Sequence, residues 1–159
     1  MAEAVDVVIA LGSNIGDRQK YIRLAIDAIG NIPETILINQ SDLLETQPVG
    51  PIEQDLFINA AIVVKTQLDA HCLLSHLNQI EKTLGRDAIQ NRIKWGPRVI
   101  DLDIIFFANQ IINDEILVVP HPQMHLRTFV LKPLLQIAPQ WEHPILKRTV
   151  AQMLLQLEA

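Results

Sequence analysis

The sequence predicts an α+β fold: a ferredoxin-like βαββαβ sandwich, helices on one side of an antiparallel sheet, with a C-terminal helical extension. Three observations carry this. Short runs rich in β-branched and apolar residues occupy 5–11, 35–45, 57–65 and 100–107. Apolar residues at helical spacing fill the first and third of the gaps between them. Beyond residue 120 the pattern is mainly helical. With no linker, internal repeat or low-complexity tract, residues 1–159 are expected to form one domain.

Residues 5–11 have the length of a buried strand and stop at Gly12-Ser13-Asn14. Asp17 is placed to cap a helix whose Ile22, Ala25, Ile26 and Ile29 share a face, with Gly30 as its stop. The glycines of 12–16 suit a phosphate cradle, but the Gly-Lys-Ser/Thr ending of a P-loop is absent, so the segment reads as a structural turn. Residues 35–45 form a second, less regular strand, broken by Gln47-Pro48-Val49-Gly50-Pro51. Residues 57–65 are apolar on both faces and belong at the centre of the sheet.

Asn59 is the exception in that strand. Its amide needs hydrogen-bond partners, either backbone groups of the neighbouring Pro-Gly loop or a ligand. Phe57 shares its face, and a ring beside a neutral amide suits a flat heterocycle. Asp69 is placed to cap the second helix, Leu73, Leu77, Ile80 and Leu84 form its stripe, and Gly85 ends it. Glu81 lies off that stripe. His71 and His76 are five residues apart, fall on different helical faces, and make no shared metal site with Cys72. After the turn at Ala108-Asn109-Gln110, two short apolar runs lead to Pro120-His121-Pro122, whose prolines hold His121 in an extended backbone and so aim it. Helical patterning then passes Arg127, Phe129 and Leu134, with Pro133 marking a kink or a new start, and Thr149 caps a terminal helix.

Composition excludes several classes. A net charge of −5 argues against a general nucleic-acid binder, and an aromatic content of 4% argues against RNA recognition on the sheet. Cys72 is the only cysteine, so there is no intrachain disulfide and no zinc finger, and a reducing compartment is expected. No apolar run approaches the ~20 residues that span a bilayer, and residues 1–6 lack the pattern of a signal peptide. The chain is expected to be a cytoplasmic monomer with neither nucleic acid nor membrane as partner.

Chemistry concentrates at 94–107. Asp101 and Asp103 alternate with Ile100, Leu102 and Ile104, so the two acids share one face with Cα atoms ~6.6 Å apart. Paired carboxylates on a half-buried face need a positive partner: Arg98, a shared proton, or a divalent cation. Mg²⁺ is bound by one or two carboxylates together with water and substrate phosphate, which suits Asp-x-Asp on a strand. Just before it, Arg86, Arg92, Lys94 and Arg98 face one acid, Asp87. Cations beside such a pair suit polyphosphate recognition. A non-catalytic nucleotide-binding or regulatory module would account for sheet and basic loop, but not for two acids on one face.

The stretch Lys94-Trp95-Gly96-Pro97-Arg98-Val99-Ile100-Asp101-Leu102-Asp103-Ile104-Ile105 closely resembles the signature of the 6-hydroxymethyl-7,8-dihydropterin pyrophosphokinase family of folate biosynthesis. Leu11-Gly12-Ser13-Asn14, Pro48-Val49-Gly50-Pro51, Phe57-Ile58-Asn59-Ala60-Ala61, Ile80-Glu81 with Gly85-Arg86, and Pro120-His121-Pro122 with Arg127-Thr128-Phe129 follow in the family's order. The resemblance implies pyrophosphoryl transfer from ATP to the pterin's hydroxymethyl oxygen, with release of AMP. It also implies that Asp101 and Asp103 hold two Mg²⁺ ions, and that Arg86, Arg98, His121 and Arg127 bind phosphate oxygens. Glu81 and Ile104 would lie by the adenosine. Asn59 would read the pterin edge, Phe129 would stack on its ring, and Thr46, Val49 and Phe57 would line its pocket. Whether Arg92 or Lys94 supplies a further phosphate contact stays open.

Overall fold

Alternation along the first strand sets up two cores. In β1 (Val5–Ser13), Val7, Ile9 and Leu11 are buried on one side of the sheet and Val8 on the other. A strand apolar on both faces has to be covered on both. In this computed structural model, which describes residues 3–46, 56–85 and 99–159, it is.

The fold is α+β, with one main antiparallel sheet and four helices among the described residues. The sheet comprises β1, β2 (Thr35–Gln40), β3 (Leu44–Thr46), β4 (Phe57–Thr66) and β5 (Asp101–Phe107). Its order is β2-β4-β1-β5, with β3 also paired to β4. β6 (Ile112–Asn113) and β7 (Val118–Val119) form a separate small ladder. As its two apolar faces require, β4 is interior. Among the described residues no helix is long and apolar enough to cross a membrane.

Helices α1 (Arg18–Gly30) and α2 (Ala70–Leu84) bury Ile22, Ala25, Ile29, Leu73 and Leu77 against Ile9, Leu11, Ile62 and Leu102. Their starts are capped as the sequence predicts. Asp17 accepts from the Lys20 N–H at 3.2 Å, and Asp69 from the Cys72 N–H at 2.8 Å. Gly30 is the last residue of α1 and the cap is Asn31.

Helices α3 (Thr128–Ile137) and α4 (Val150–Glu158) lie on the opposite face, burying Leu131, Leu134, Met153 and Leu154 with Val8, Ala61, Val63, Ile105 and Phe106. The expectation that helices occupy one side therefore holds for α1 and α2 alone. The C-terminal extension covers the second apolar face, because Val8 and Val63 would otherwise be exposed to water. Helix α3 runs through Pro133, and Thr149 with Gln152 forms a capping box at α4.

The predicted strand 35–45 is two strands. Between them Ser41 donates its N–H to the Ala61 carbonyl and accepts the Ala61 N–H on Oγ, both at 2.9 Å. A side chain thus replaces a backbone acceptor and breaks the ladder. The β1–β5 register also shifts: Val8 pairs with Phe106 and Ile9 with Ile104, so Ile105 is an extra residue. The bulge lets Ile105 and Phe106 both enter the second core while Ile104 and Phe107 stay in the first.

Met124, in the 3-10 turn Met124–Leu126 ahead of α3, is fully buried in the second core. Met124→Ala is expected to lower unfolding free energy by ~2–5 kcal/mol in urea titrations, and a loss well below ~1 kcal/mol would mean that the turn is not anchored by this side chain.

Candidate active site

Antiparallel register assembles the site row by row. Leu44, Asn59, Gly12 and Asp101 are successive cross-strand partners on β3, β4, β1 and β5. The next row is Ala61, Ala10 and Asp103. Neighbouring strands lie ~4.8 Å apart, so Asn59 and Asp101 stand ~9.6 Å apart across Gly12. Small residues keep the floor between them low. A Cβ on Gly12 would lie 3.1 Å from Asn59 Oδ1 and 3.7 Å from Phe57 Cδ1. Gly12 was expected only as a turn residue; it is part of β1, where its missing side chain lets amide and ring lean over the strand.

On the amide side, Asn59 is buried and donates through Nδ2 to Thr46 Oγ1. Among the described residues its side-chain partner is on β3, and Oδ1 is turned toward Gly12; the Pro-Gly loop lies outside the described residues. Phe57 pairs with Thr46 and shares the face of Asn59.

On the acid side, Asp101 and Asp103 share the face of Ile105, opposite to the buried Leu102 and Ile104. Asp103 keeps solvent access, yet the protein packed around it raises its pKa above the ordinary carboxylate value, against the lowering effect of the Arg127 charge. An ionised Asp103 is thus held less comfortably than in water, and a cation would relieve it. Among the described residues no group of three or more His, Cys, Asp or Glu side chains is placed to hold a metal. A two-carboxylate set fits Mg²⁺ that takes its other ligands from phosphate and water.

The segment after β7 supplies the rest. His121 donates its N–H to the Ile105 carbonyl at 3.1 Å, which ties the segment to β5 at the bulge. Its Nδ1 accepts the Gln123 N–H at 3.1 Å, so in the neutral ring Nε2 carries the proton. Burial, and then the Arg127 charge, lower its pKa to about 4. The Arg127 guanidinium lies 5.6 Å from the centroid of Phe129, a cation–π distance.

Asp101, Asp103, His121, Arg127 and Phe129 therefore gather at one end, with Thr46, Phe57 and Asn59 across Gly12. Glu81 and Ile104 are elsewhere. Glu81 Oε2 accepts the Leu102 N–H at 2.8 Å from the α2 side, and the Ile104 side chain is buried in the first core. Val49, Arg86 and Arg98, with Arg92 and Lys94, lie outside the described residues. Sequence reasoning missed Arg18, whose Nη1 donates to the Leu56 carbonyl at 2.6 Å and so fixes the entry to β4 one residue before Phe57. An arginine directly after a helix-capping aspartate was the available signal.

This arrangement suits a ligand with an anionic part at the acid and arginine end and a flat ring at the amide end. Comparison with known proteins gives it a family. The sequence pattern of 7,8-dihydro-6-hydroxymethylpterin-pyrophosphokinase (HPPK) matches residues 8–139. A 2-amino-4-hydroxy-6-hydroxymethyldihydropteridine pyrophosphokinase of Bacillus subtilis is 45% identical over 134 residues, covering 84% of this chain and 78% of its own length. Its namesake in Pseudomonas aeruginosa is 40% identical over 138 residues, covering 87% and 83%. The bifunctional protein FolKE of Lactococcus lactis is 43% identical over 129 residues, and there the match spans only 36% of the longer protein. The crystal structure of Plasmodium falciparum HPPK-DHPS with pterin and p-hydroxybenzoate superposes with a TM-score of 0.76 at 18% identity, over 98% of this chain and 43% of that one, a likeness of fold. This chain belongs to the HPPK family.

The buried imidazole gives a pH prediction. The unfolded chain takes up a proton at His121 near 6.5, whereas the folded protein resists it until about 4. This group therefore subtracts stability as pH falls from 6.5 toward 4 and costs nothing above. Its NMR titration should have a midpoint near 4; one near 6.5 would place the ring in open solvent.

Proposed function

We propose that the chain carries out the reaction of its family: transfer of the pyrophosphoryl group of ATP to the hydroxymethyl oxygen of 6-hydroxymethyl-7,8-dihydropterin, giving AMP and the pterin diphosphate for folate biosynthesis. The observation that carries this, beyond family membership, is the carboxylate pair facing Asn59 and Phe57 across the bare backbone of Gly12. One floor thereby presents a place for polyphosphate and a place for a planar amide-bearing ring.

The pterin hydroxyl oxygen bonds to the β-phosphorus of ATP, the bond from that phosphorus to the α-phosphate oxygen breaks, AMP leaves, and the hydroxyl proton goes to solvent. Chemistry of this kind asks the protein for alignment and charge neutralisation. Asp101 and Asp103 would hold two Mg²⁺ ions, which would supply charge neutralisation for the triphosphate and a lower pKa for the attacking hydroxyl. Arg86, Arg98 and Arg127 donate to phosphate oxygens. His121 joins them as a neutral donor through Nε2, since Nδ1 is occupied by the Gln123 N–H.

At the ring end, Asn59 accepts from the pterin edge through Oδ1 while Thr46 holds Nδ2. Phe129 stacks on the ring, and Thr46, Val49 and Phe57 line the pocket. Glu81 and Ile104 stand by the adenosine. Because the Leu102 N–H turns away from β1 toward Glu81, the Ile104 backbone, two residues on, faces the same edge and is the part of Ile104 a nucleotide can meet. The antiparallel order β2-β4-β1-β5 supports a ferredoxin-like core within a single domain. Both sheet faces are covered by the chain's own helices, which supports a monomer, and the lone cysteine supports a reducing, cytoplasmic setting.

Asp103→Asn is expected to reduce turnover by about 100-fold or more. Because it removes a carboxylate that burial disfavours, it should leave the melting temperature unchanged or raised. A purified, folded variant with near-normal turnover would remove the acid pair from the mechanism. Asn59→Ala should raise KM for the pterin more than KM for ATP, and equal changes in both would count against edge reading.

A further inference from the structure

One residue outside the family signature touches both donors of the segment after β7, His121 through its main chain and Arg127 through its side chain. The Gln123 main-chain N–H donates to His121 Nδ1 at 3.1 Å, and its side-chain Oε1 accepts from Arg127 Nη2. The backbone between them is fixed. His121 is bonded to the Ile105 carbonyl of β5, Met124 is fully buried, and N–H groups of Met124, Leu126 and Arg127 bond to carbonyls of His121, Gln123 and Met124 at 3.3, 3.0 and 3.2 Å. Four residues of a tight turn thus bring an exposed glutamine amide to a guanidinium that lies 5.6 Å from the Phe129 ring centroid.

We propose that Gln123 is a positioning residue, whose side-chain oxygen holds the Arg127 guanidinium over Phe129 and beside Asp103 before substrates arrive. The choice of side chain follows from charge. A carboxylate at 123 would orient the guanidinium but neutralise it and compete with phosphate, whereas an amide oxygen fixes one Nη and leaves the positive charge and remaining donors available. An unrestrained arginine would lose rotamer freedom only when the phosphate chain bound, and holding it beforehand moves that cost out of the reaction. The inference rests on the reading of Arg127 as a phosphate ligand.

Gln123→Met tests it, because the variant keeps side-chain length, the main-chain N–H and the exposed position, and removes the acceptor. We expect kcat to fall about ten-fold, the value of one hydrogen bond to a charged group. Melting temperature should be unchanged, and the Arg127 Nε–H should become more mobile in ¹⁵N relaxation. In an Arg127→Ala background the same substitution should cause no further loss. Full activity of Gln123→Met alongside an impaired Arg127→Ala would overturn the positioning role and leave the Arg127 reading standing. A fully active Arg127→Ala would overturn that reading and the inference with it. Additive losses in the double variant would show that Gln123 acts through something other than Arg127, and would also overturn it.

Discussion

Two carboxylates side by side on one strand repel each other, and Asp101 with Asp103 is the constraint on which the rest of the site depends. The protein keeps this pair on a rigid strand whose opposite face, Leu102 and Ile104, is locked into the first core. Neither acid can turn inward without pulling an apolar neighbour out, since a strand allows no intermediate orientation. The orientation of both acids is therefore fixed by the fold, along with the pKa of Asp103, which burial raises. A carboxylate whose ionised form the surrounding protein disfavours is what a binding role for cations would require.

The two-sided architecture serves that pair. The bulge at Ile105 sends Ile105 and Phe106 together into the second core, where Phe106 stacks on Trp141 with centroids 5.5 Å apart and nearly parallel rings. At the same residue the Ile105 carbonyl receives the His121 N–H. A single irregularity thus marks where β5 changes from carrying acids to carrying core, and where the segment with His121, Gln123 and Arg127 is tied on. Glu81 supports the strand from the other side through the Leu102 N–H, midway between the two acids.

What was legible in the sequence was what depends on neighbours in sequence. The caps at Asp17, Asp69 and Thr149, the stripes of α1 and α2, the interior position of β4 and the shared face of the two acids are all set by local periodicity. The face chosen by α3 and α4 was not legible, because amphipathic spacing says that a helix is covered and leaves open by what. The break at Ser41 depends on its meeting Ala61, twenty residues later, and no propensity encodes that. Gly12 read as a turn because the residue that needs its missing side chain, Asn59, lies on another strand. The bond from the Leu102 N–H to Glu81 gave no local signal on the helix, since the two residues are twenty-one apart. The candidate site residues came from resemblance and residue type, and structure adds their grouping: the acids with His121, Arg127 and Phe129, and Thr46, Phe57 and Asn59 across the floor.

The most direct test follows the phosphorus atoms. Purified protein given Mg²⁺, 6-hydroxymethyl-7,8-dihydropterin and ATP labelled at the β-phosphate should yield unlabelled AMP and a pterin product that carries the label, in equal amounts. Formation of labelled ADP with a pterin monophosphate, or no pterin-dependent consumption of ATP, would contradict the account of a site built to move two phosphates together.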